Sequence, residues 1–139
     1  MSNNFLNIGL IGCGSMGMEL ADAVYSGKIG NARITAVFDE VEANMDLLAK
    51  TFSPKPNTCK SFKNFIATQH LELVVECASQ KVIYAYGEKI VKAGISILIM
   101  SSGALMDPLL FHTLFSESKK SGAKITIPSG AVGGIDALK

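Results

Sequence analysis

Three glycines and one carboxylate near the amino terminus have types and spacing that could bind a phosphate-bearing nucleotide. The glycines are Gly12, Gly14 and Gly17, and the acid is Asp39. In a G-x-G-x-x-G pattern the first glycine permits a sharp turn, the second admits a pyrophosphate close to the backbone, and the third lets a helix pack on a sheet. An acid about twenty residues later accepts hydrogen bonds from ribose hydroxyls. A turn that binds nothing would not require this acid, so the pattern predicts a dinucleotide site.

Particular elements must surround these residues for the site to work. The apolar run Leu6–Ile11 predicts a strand before the glycines, residues 16–24 predict a helix after them, and residues 34–38 predict a second strand that ends at Asp39. A helix that starts near Ser15 points unpaired N–H groups, and the positive end of its dipole, at a phosphate. The order strand, turn, helix, strand and acid is the one that dinucleotide binding needs.

Charge around the ribose acid bears on the choice between NAD and NADP. The carboxylate of Asp39 repels a 2′-phosphate, and Glu40 adds a second negative charge. No arginine follows directly to offset them, so NAD is the predicted cofactor. Arg33 and Lys28 are near enough in the sequence to keep NADP possible.

The rest of the chain alternates apolar runs with helix-like segments. Further strands are predicted near 58–60 and over 73–79, 95–100 and 124–127, and further helices over 40–52, 62–67, 81–93 and 108–121. Ser61 and Asp107 are predicted helix caps, and Gly122 ends the last helix. This alternation predicts an α/β fold in a single domain over residues 1–139, with a Rossmann-type, doubly wound, mostly parallel sheet.

Three loops that follow the later strands are rich in small residues. They are Ala78-Ser79, Ser101-Ser102-Gly103 and Ser129-Gly130-Ala131. Ligands of open parallel sheets bind outside the carboxyl ends of the strands, where small residues leave room for a flat cofactor. One such loop is equally compatible with packing in a tight turn, but three together favour binding.

Composition argues against several classes of function. The 139 residues suit one domain, and a net charge of +1 without a basic stretch argues against nucleic-acid binding. No apolar run approaches membrane-spanning length, and the polar amino terminus is unlike a signal peptide. Cys13, Cys59 and Cys77 lack metal-ligand spacing and indicate free thiols, so we expect a cytoplasmic protein without a metal site. Cys13 and Cys77 are either reactive thiols beside the cofactor or, as is commoner, small buried residues.

Three segments resemble the L-aspartate dehydrogenase family. They are residues 74–79, residues 100–108 and, most specifically, the stretch Ile127-Pro128-Ser129-Gly130-Ala131-Val132-Gly133-Gly134-Ile135-Asp136-Ala137. The resemblance covers essentially the whole chain but only the N-terminal, cofactor-binding half of a family member. It implies an NAD(P)-dependent oxidoreductase that interconverts L-aspartate and iminoaspartate by hydride transfer. Iminoaspartate then feeds NAD biosynthesis or hydrolyses to oxaloacetate.

The resemblance also implies roles for individual residues. The glycine turn would hold the pyrophosphate and Asp39 the ribose, Ala78 and Ser79 would line the path toward the nicotinamide, and Ala131 would contact the nicotinamide side. Ser101 is a secondary candidate, and Ser102 stands where the family usually has an apolar residue. The predicted cofactor-binding residues are therefore Gly12, Gly14, Ser15, Met16, Gly17, Asp39, Ala78, Ser79, Ser101 and Ala131.

The family's catalytic histidine has no match here. The two histidines, His70 and His112, are predicted in a polar turn and on a surface helix. We therefore assign no catalytic residue, and we expect the C-terminal catalytic domain of the family to be absent and the chain to bind NAD(H) without turning over aspartate. The alternative is a free-standing NAD(H)-binding module that regulates a partner. Apolar surface that a second domain would cover predicts a homo-oligomer.

Two further acids have open roles at this stage. Glu76 lies within a predicted strand, where it could position a ribose hydroxyl or an amide, face a sheet edge, or pair with a neighbouring side chain. Asp136 follows two glycines and could cap the next helix.

Overall fold

A computed structural model describes residues 4–128 and arranges six parallel strands in one sheet. The strands are β1 (Leu6–Ile11), β2 (Ala32–Phe38), β3 (Asn57–Cys59), β4 (Leu73–Glu76), β5 (Ser96–Ile99) and β6 (Ile125–Thr126). Their order across the sheet is β3-β2-β1-β4-β5-β6, and all neighbours are parallel. The predicted doubly wound α/β fold is confirmed, and the sheet is wholly parallel within the described residues.

The helices that connect the strands begin and end close to the predicted positions. They are α1 (Ser15–Tyr25), α2 (Glu42–Thr51), α3 (Phe62–Ile66), α4 (Gln80–Val82), α5 (Glu88–Lys92) and α6 (Pro108–Ser121). The hydroxyl of Ser61 accepts a hydrogen bond from the N–H of Asn64 at 3.1 Å, and the carboxylate of Asp107 accepts one from the N–H of Leu109 at 2.9 Å. Both predicted caps are confirmed, because these side chains accept from N–H groups that have no partner within the helix.

Two apolar cores lie on opposite faces of the sheet. Along β1, Ile8 and Leu10 belong to one core and Ile11 to the other, because successive side chains of a strand point to opposite faces. The first core includes residues of α1 and α2, namely Ala21, Val24, Met45 and Leu48. The second includes residues of α3 to α6, such as Phe65, Ile90 and Leu114. Strand order reverses between β1 and β4, and this is where an open sheet forms its crevice.

Three local features differ from the sequence-based predictions. The helix expected over 81–93 contains a π-helical segment, Ile83–Gly87, between α4 and α5. A 3-10 segment, Ser102–Met106, precedes α6. The nearly all-apolar run over 95–100 predicts a strand that is buried on both faces, yet in β5 only Ile97 and Ile99 are buried. Leu98 is partly exposed because it lines an open cleft.

Candidate functional site

The turn between β1 and α1 is held tightly on both sides. Gly12 has a φ of 99°, a left-handed conformation that favours glycine. A Cβ at Gly12 would lie 2.6 Å from the carbonyl carbon of Cys77, so the turn packs directly on the loop after β4. The N–H of Gly12 donates to the carbonyl oxygen of Phe38 at 2.9 Å, which ties the same turn to the end of β2.

The other two glycines have different roles in this turn. A Cβ at Gly17 would collide with the carbonyl oxygen of Gly12, so only glycine lets α1 begin this close to β1. A Cβ at Gly14 would meet no atom within 4 Å, and no side chain caps α1. The first N–H groups of α1 therefore have no acceptor within the helix, and the space beside Gly14, at the start of that helix, is open. This cradle fits the two phosphates of a dinucleotide.

Asp39 lies beside this cradle and is fixed to it by hydrogen bonds. Its Oδ2 accepts from the N–H of Cys13 at 2.7 Å, and its Oδ1 accepts from the N–H of Val41 at 2.8 Å. A carboxylate offers about four acceptor positions, so two are left for ribose hydroxyls. The glycine turn and Asp39 are thus joined by a direct hydrogen bond and form one unit.

A cleft of about 260 Å³ opens beside this unit, and we name it the first cleft. Half of the predicted cofactor residues line it, namely Gly12, Gly14, Asp39, Ala78 and Ser79. The sequence-based prediction missed other lining residues, which include Phe38, Val41, Asn44 and Val82. Each of these residues lies within five positions of a predicted site residue in the sequence. Only the fold shows that they line the cleft.

A second cleft of about 370 Å³ also borders the start of α1. It is lined by Met16, Glu19, Leu20, Val75, Cys77, Leu98, Met100 and Pro128, which makes it mostly apolar. Cys77 lines both clefts, so the two are neighbours across the glycine turn. Only Met16 among these residues was a predicted cofactor contact. No signal in the sequence distinguishes Leu98, which lines this cleft, from its buried neighbours Ile97 and Ile99.

A larger groove lies at the opposite ends of the strands. It measures about 780 Å³ and is lined by residues that include Tyr25, Arg33 and Pro54. None of the predicted cofactor residues that the structure describes borders it. Because open parallel sheets bind ligands at the carboxyl ends of their strands, the first and second clefts are the candidate site.

Ser101 is engaged with Glu76 rather than free in a cleft. Its N–H donates to Oε1 of Glu76 at 2.8 Å, and its hydroxyl donates to Oε2 at 2.7 Å. Of the alternatives for Glu76, pairing with a neighbouring side chain is the one that the structure shows, in a central strand rather than at an edge. The predicted contact of Ser101 with the cofactor stays a prediction, and it would have to use the remaining lone pairs of the hydroxyl oxygen.

The two cysteines of the site are not activated thiols. Burial, reinforced by the charge of Asp39, raises the pKa of Cys13 to about 12. Burial and the charge of Glu76 likewise raise the pKa of Cys77 to about 12. Because the thiolate is the reactive form, neither residue is a nucleophile at neutral pH. Cys13 is a small buried residue beside the turn, whereas Cys77 is partly buried and lines both clefts.

The histidines lie away from both clefts. His70 precedes β4 at the amino ends of the strands, where its carbonyl oxygen accepts from the side-chain amide of Asn7 at 3.1 Å. His112 is exposed on α6. Ala131 and Asp136 lie outside the described residues. Between residues 4 and 128, no group of three or more histidine, cysteine, aspartate or glutamate side chains could hold a metal ion.

The chain is similar to known L-aspartate dehydrogenases in sequence and in fold. An L-aspartate dehydrogenase from Methanocaldococcus jannaschii is 43% identical over 136 residues, which is 96% of this chain and 49% of that protein. One from Methanosarcina mazei is 40% identical over 137 residues, covering 96% and 48%. The crystal structure of aspartate dehydrogenase from Thermotoga maritima superposes with a TM-score of 0.69 at 28% identity, over 97% of this chain and 50% of that one.

The chain thus spans about half the length of the curated relatives it matches. The predicted resemblance to L-aspartate dehydrogenases is confirmed, and so is the prediction of NAD as cofactor. A family model described as "Homoserine dehydrogenase, NAD binding domain" matches residues 12–128, a range that begins at the glycine turn directly after β1. Since that match extends over most of the chain, the protein belongs to this family of NAD-binding domains.

Proposed function

We propose that this chain is the cofactor-binding domain of an L-aspartate dehydrogenase-like oxidoreductase. The observation that carries the proposal is the open cradle at the start of α1, with the carboxylate of Asp39 bonded to the same turn. Similarity to L-aspartate dehydrogenases over 96% of the chain supports the choice of reaction. When bound, NAD supplies the chemistry by accepting a hydride from the substrate, while the protein orients it.

Different residues of this chain would bind different parts of the cofactor. The N–H groups at the start of α1 bind the pyrophosphate, and Asp39 accepts hydrogen bonds from the ribose of the adenosine half. The adenosine half would occupy the first cleft, where Ala78 and Ser79 would line the path toward the nicotinamide. The nicotinamide half would extend toward the second cleft, where Met16 and Met100 provide apolar walls. Apolar walls exclude water from the part of the cofactor that reacts.

Charge in the first cleft supports a preference for NAD over NADP. Asp39 and Glu40 both line it. Arg33 does not offset them, because it lies at the other end of β2 and its Nε donates to Oδ1 of Asn7 at 2.7 Å. Arg33 and Asp39 are six residue steps apart along the extended strand, which is about 20 Å at ~3.3 Å per step.

Neither histidine of the chain lies at the two clefts. Histidine is the side chain that most often transfers protons in enzymes, and it must lie within hydrogen-bond reach of the substrate, but His70 and His112 line neither cleft. We therefore propose that the 139-residue chain alone binds NAD(H) but does not oxidise L-aspartate. No observation on the described residues favours the alternative of a regulatory module.

The experiment is a calorimetric titration of the chain with NAD⁺ and NADP⁺, followed by an assay of L-aspartate-dependent NADH formation. We expect binding of NAD⁺, weaker binding of NADP⁺, and no NADH formation above the blank without protein. A chain that binds neither dinucleotide would refute the site. A chain that binds NAD⁺ and also forms NADH from L-aspartate would keep the cofactor site but refute the proposal that this chain alone does not oxidise L-aspartate.

We also propose that the chain works in the cytoplasm, because its free thiols indicate a reducing compartment. We further propose that the chain self-associates. Exposed apolar side chains lie around the start of α6, where Met106 is 75% and Leu109 is 76% exposed and Phe111 is also exposed. Such a patch favours association of copies. Light scattering should give a mass of at least a dimer, and a monomer at high concentration would contradict this.

None of the helices between residues 4 and 128 is both long and apolar enough to cross a bilayer.

A further inference from the structure

Glu76 is a fully buried carboxylate at the end of β4, with none of its surface exposed. Four donors reach it. Its Oε1 accepts from the N–H of Met100 at 3.1 Å and of Ser101 at 2.8 Å. Its Oε2 accepts from the N–H of Ala78 at 2.8 Å and from the hydroxyl of Ser101 at 2.7 Å. The residue therefore links the loop after β4 to the loop after β5.

No lysine, arginine or histidine between residues 4 and 128 forms an ion pair with Glu76. A buried carboxylate without a cation is unfavourable unless hydrogen bonds compensate for its lost hydration. Here the compensation comes from backbone N–H groups and one hydroxyl. The conformation of the two loops and the burial of Glu76 thus depend on each other.

The two loops do not depend on Glu76 equally. The loop after β4 has other supports, because the N–H of Cys77 donates to the carbonyl oxygen of Ile11 at 2.7 Å and Gly12 packs against the Cys77 carbonyl. The loop after β5 supplies three of the four hydrogen bonds to the Glu76 side chain, from Met100 and Ser101. The N–H of Met100 is shared with the main-chain carbonyl oxygen of Glu76 at 3.2 Å, whereas both donors of Ser101 go to the carboxylate. Met100 also lines the second cleft. Removing the carboxylate should therefore disturb the second cleft more than the first.

We propose that Glu76 is a positioning residue that fixes the loop after β5 and so shapes the second cleft for the nicotinamide half of the cofactor. This inference rests on the proposed function, because it takes the second cleft as the nicotinamide site. It assigns no contact between Glu76 and the cofactor. Glu76 acts through Met100 and Ser101.

The test compares two ligands that differ only in the nicotinamide ring, NAD⁺ and ADP-ribose. The measured quantity is the ratio of their dissociation constants, Kd of ADP-ribose divided by Kd of NAD⁺. A general loss of stability weakens both ligands alike and leaves this ratio unchanged. A displaced loop at the second cleft weakens NAD⁺ alone and lowers the ratio toward one.

The variant is Glu76→Gln, which keeps the size of the side chain but turns an NH₂ group toward two of the four donors. We expect it to lower the ratio by about tenfold, the effect of about 1.4 kcal/mol. The matched control is Glu72→Gln, the same chemical change just before the other end of β4. Glu72 is exposed and borders neither cleft, so its ratio should equal that of the unmodified chain.

The outcomes separate this inference from the proposed function. If the unmodified chain binds neither ligand, the proposed function fails. If it binds both equally, or if Glu76→Gln keeps the ratio of the unmodified chain, the proposed function stands and the role of Glu76 is refuted. Should Glu76→Gln not fold, Glu76→Asp keeps the charge but shortens the side chain by one methylene, which draws the carboxylate away from Met100 and Ser101 and should lower the ratio by about threefold. An unchanged ratio in that variant would equally overturn the proposal.

Discussion

The exchange Asp39→Asn probes the ribose acid and the choice of cofactor in one variant. The carboxylate accepts from the N–H groups of Cys13 and Val41 and has two acceptor positions left for the ribose. Asparagine has nearly the same shape, but it is neutral and places an NH₂ group against one of those two donors. The variant should therefore bind NAD⁺ more weakly and should discriminate less against NADP⁺.

The two effects have different sizes. Hydrogen bonds to a charged acceptor contribute about 1.5–3 kcal/mol, so losing them should raise the Kd of NAD⁺ by about tenfold to a hundredfold. A 2′-phosphate carries a charge of about −1.5 to −2. Two unit charges about 4 Å apart repel by about 1 kcal/mol in water, so the carboxylate of Asp39 disfavours NADP⁺ by about 2 kcal/mol. Removing it should lower the ratio of the NADP⁺ and NAD⁺ dissociation constants by about thirtyfold.

Calorimetric titration of both dinucleotides gives this ratio directly, and thermal unfolding checks that the turn remains folded. Asp46→Asn is the matched control, because Asp46 lies exposed on α2, borders neither cleft and loses the same charge. A ratio that is unchanged in Asp39→Asn, or equally changed in Asp46→Asn, would refute the electrostatic argument.

Three further predictions follow from the same turn and its neighbours. Gly14→Ala should keep the melting temperature but weaken NAD⁺ binding at least tenfold, because its methyl group enters the open cradle. Gly17→Ala should lower the melting temperature, because its methyl group would collide with the carbonyl oxygen of Gly12. Equal effects of the two variants on the melting temperature would contradict this. Ser102 is 1% exposed and its hydroxyl has no partner among the described residues, so Ser102→Ala should raise the free energy of unfolding by about 1 kcal/mol in urea titrations, and a loss would count against it. The raised pKa values of Cys13 and Cys77 mean that the folded chain holds protons that the unfolded chain loses above pH 9, so the free energy of unfolding should fall between pH 9 and about 12. A Cys13→Ala/Cys77→Ala variant should lose part of this pH dependence. If its free energy of unfolding varied with pH as in the unmodified chain, the two thiols would not be the cause.

The sequence predicted the part of the site that is local in the chain. The order β1, glycine turn, α1 and β2 follows from apolar runs and glycine spacing, and the acid after β2 is then placed beside the turn because neighbouring parallel strands end together. The caps at Ser61 and Asp107 were equally predictable, since each side chain bonds to an N–H only two or three residues away. Where a contact spans a few residues, backbone geometry alone determines it.

Other features depend on partners that are distant in the chain. Glu76 meets Ser101, 25 residues later, only because β4 and β5 pair in the register that sets Glu76 opposite Ile99. Arg33, close to Asp39 in the sequence, is carried to the far end of β2 by the extended strand. The second cleft exists because Leu98 and Met16 come from different elements on one face of the sheet. Residue types and their periodicity determined the elements and the cradle, whereas strand register and the packing of helices decided which distant side chains meet.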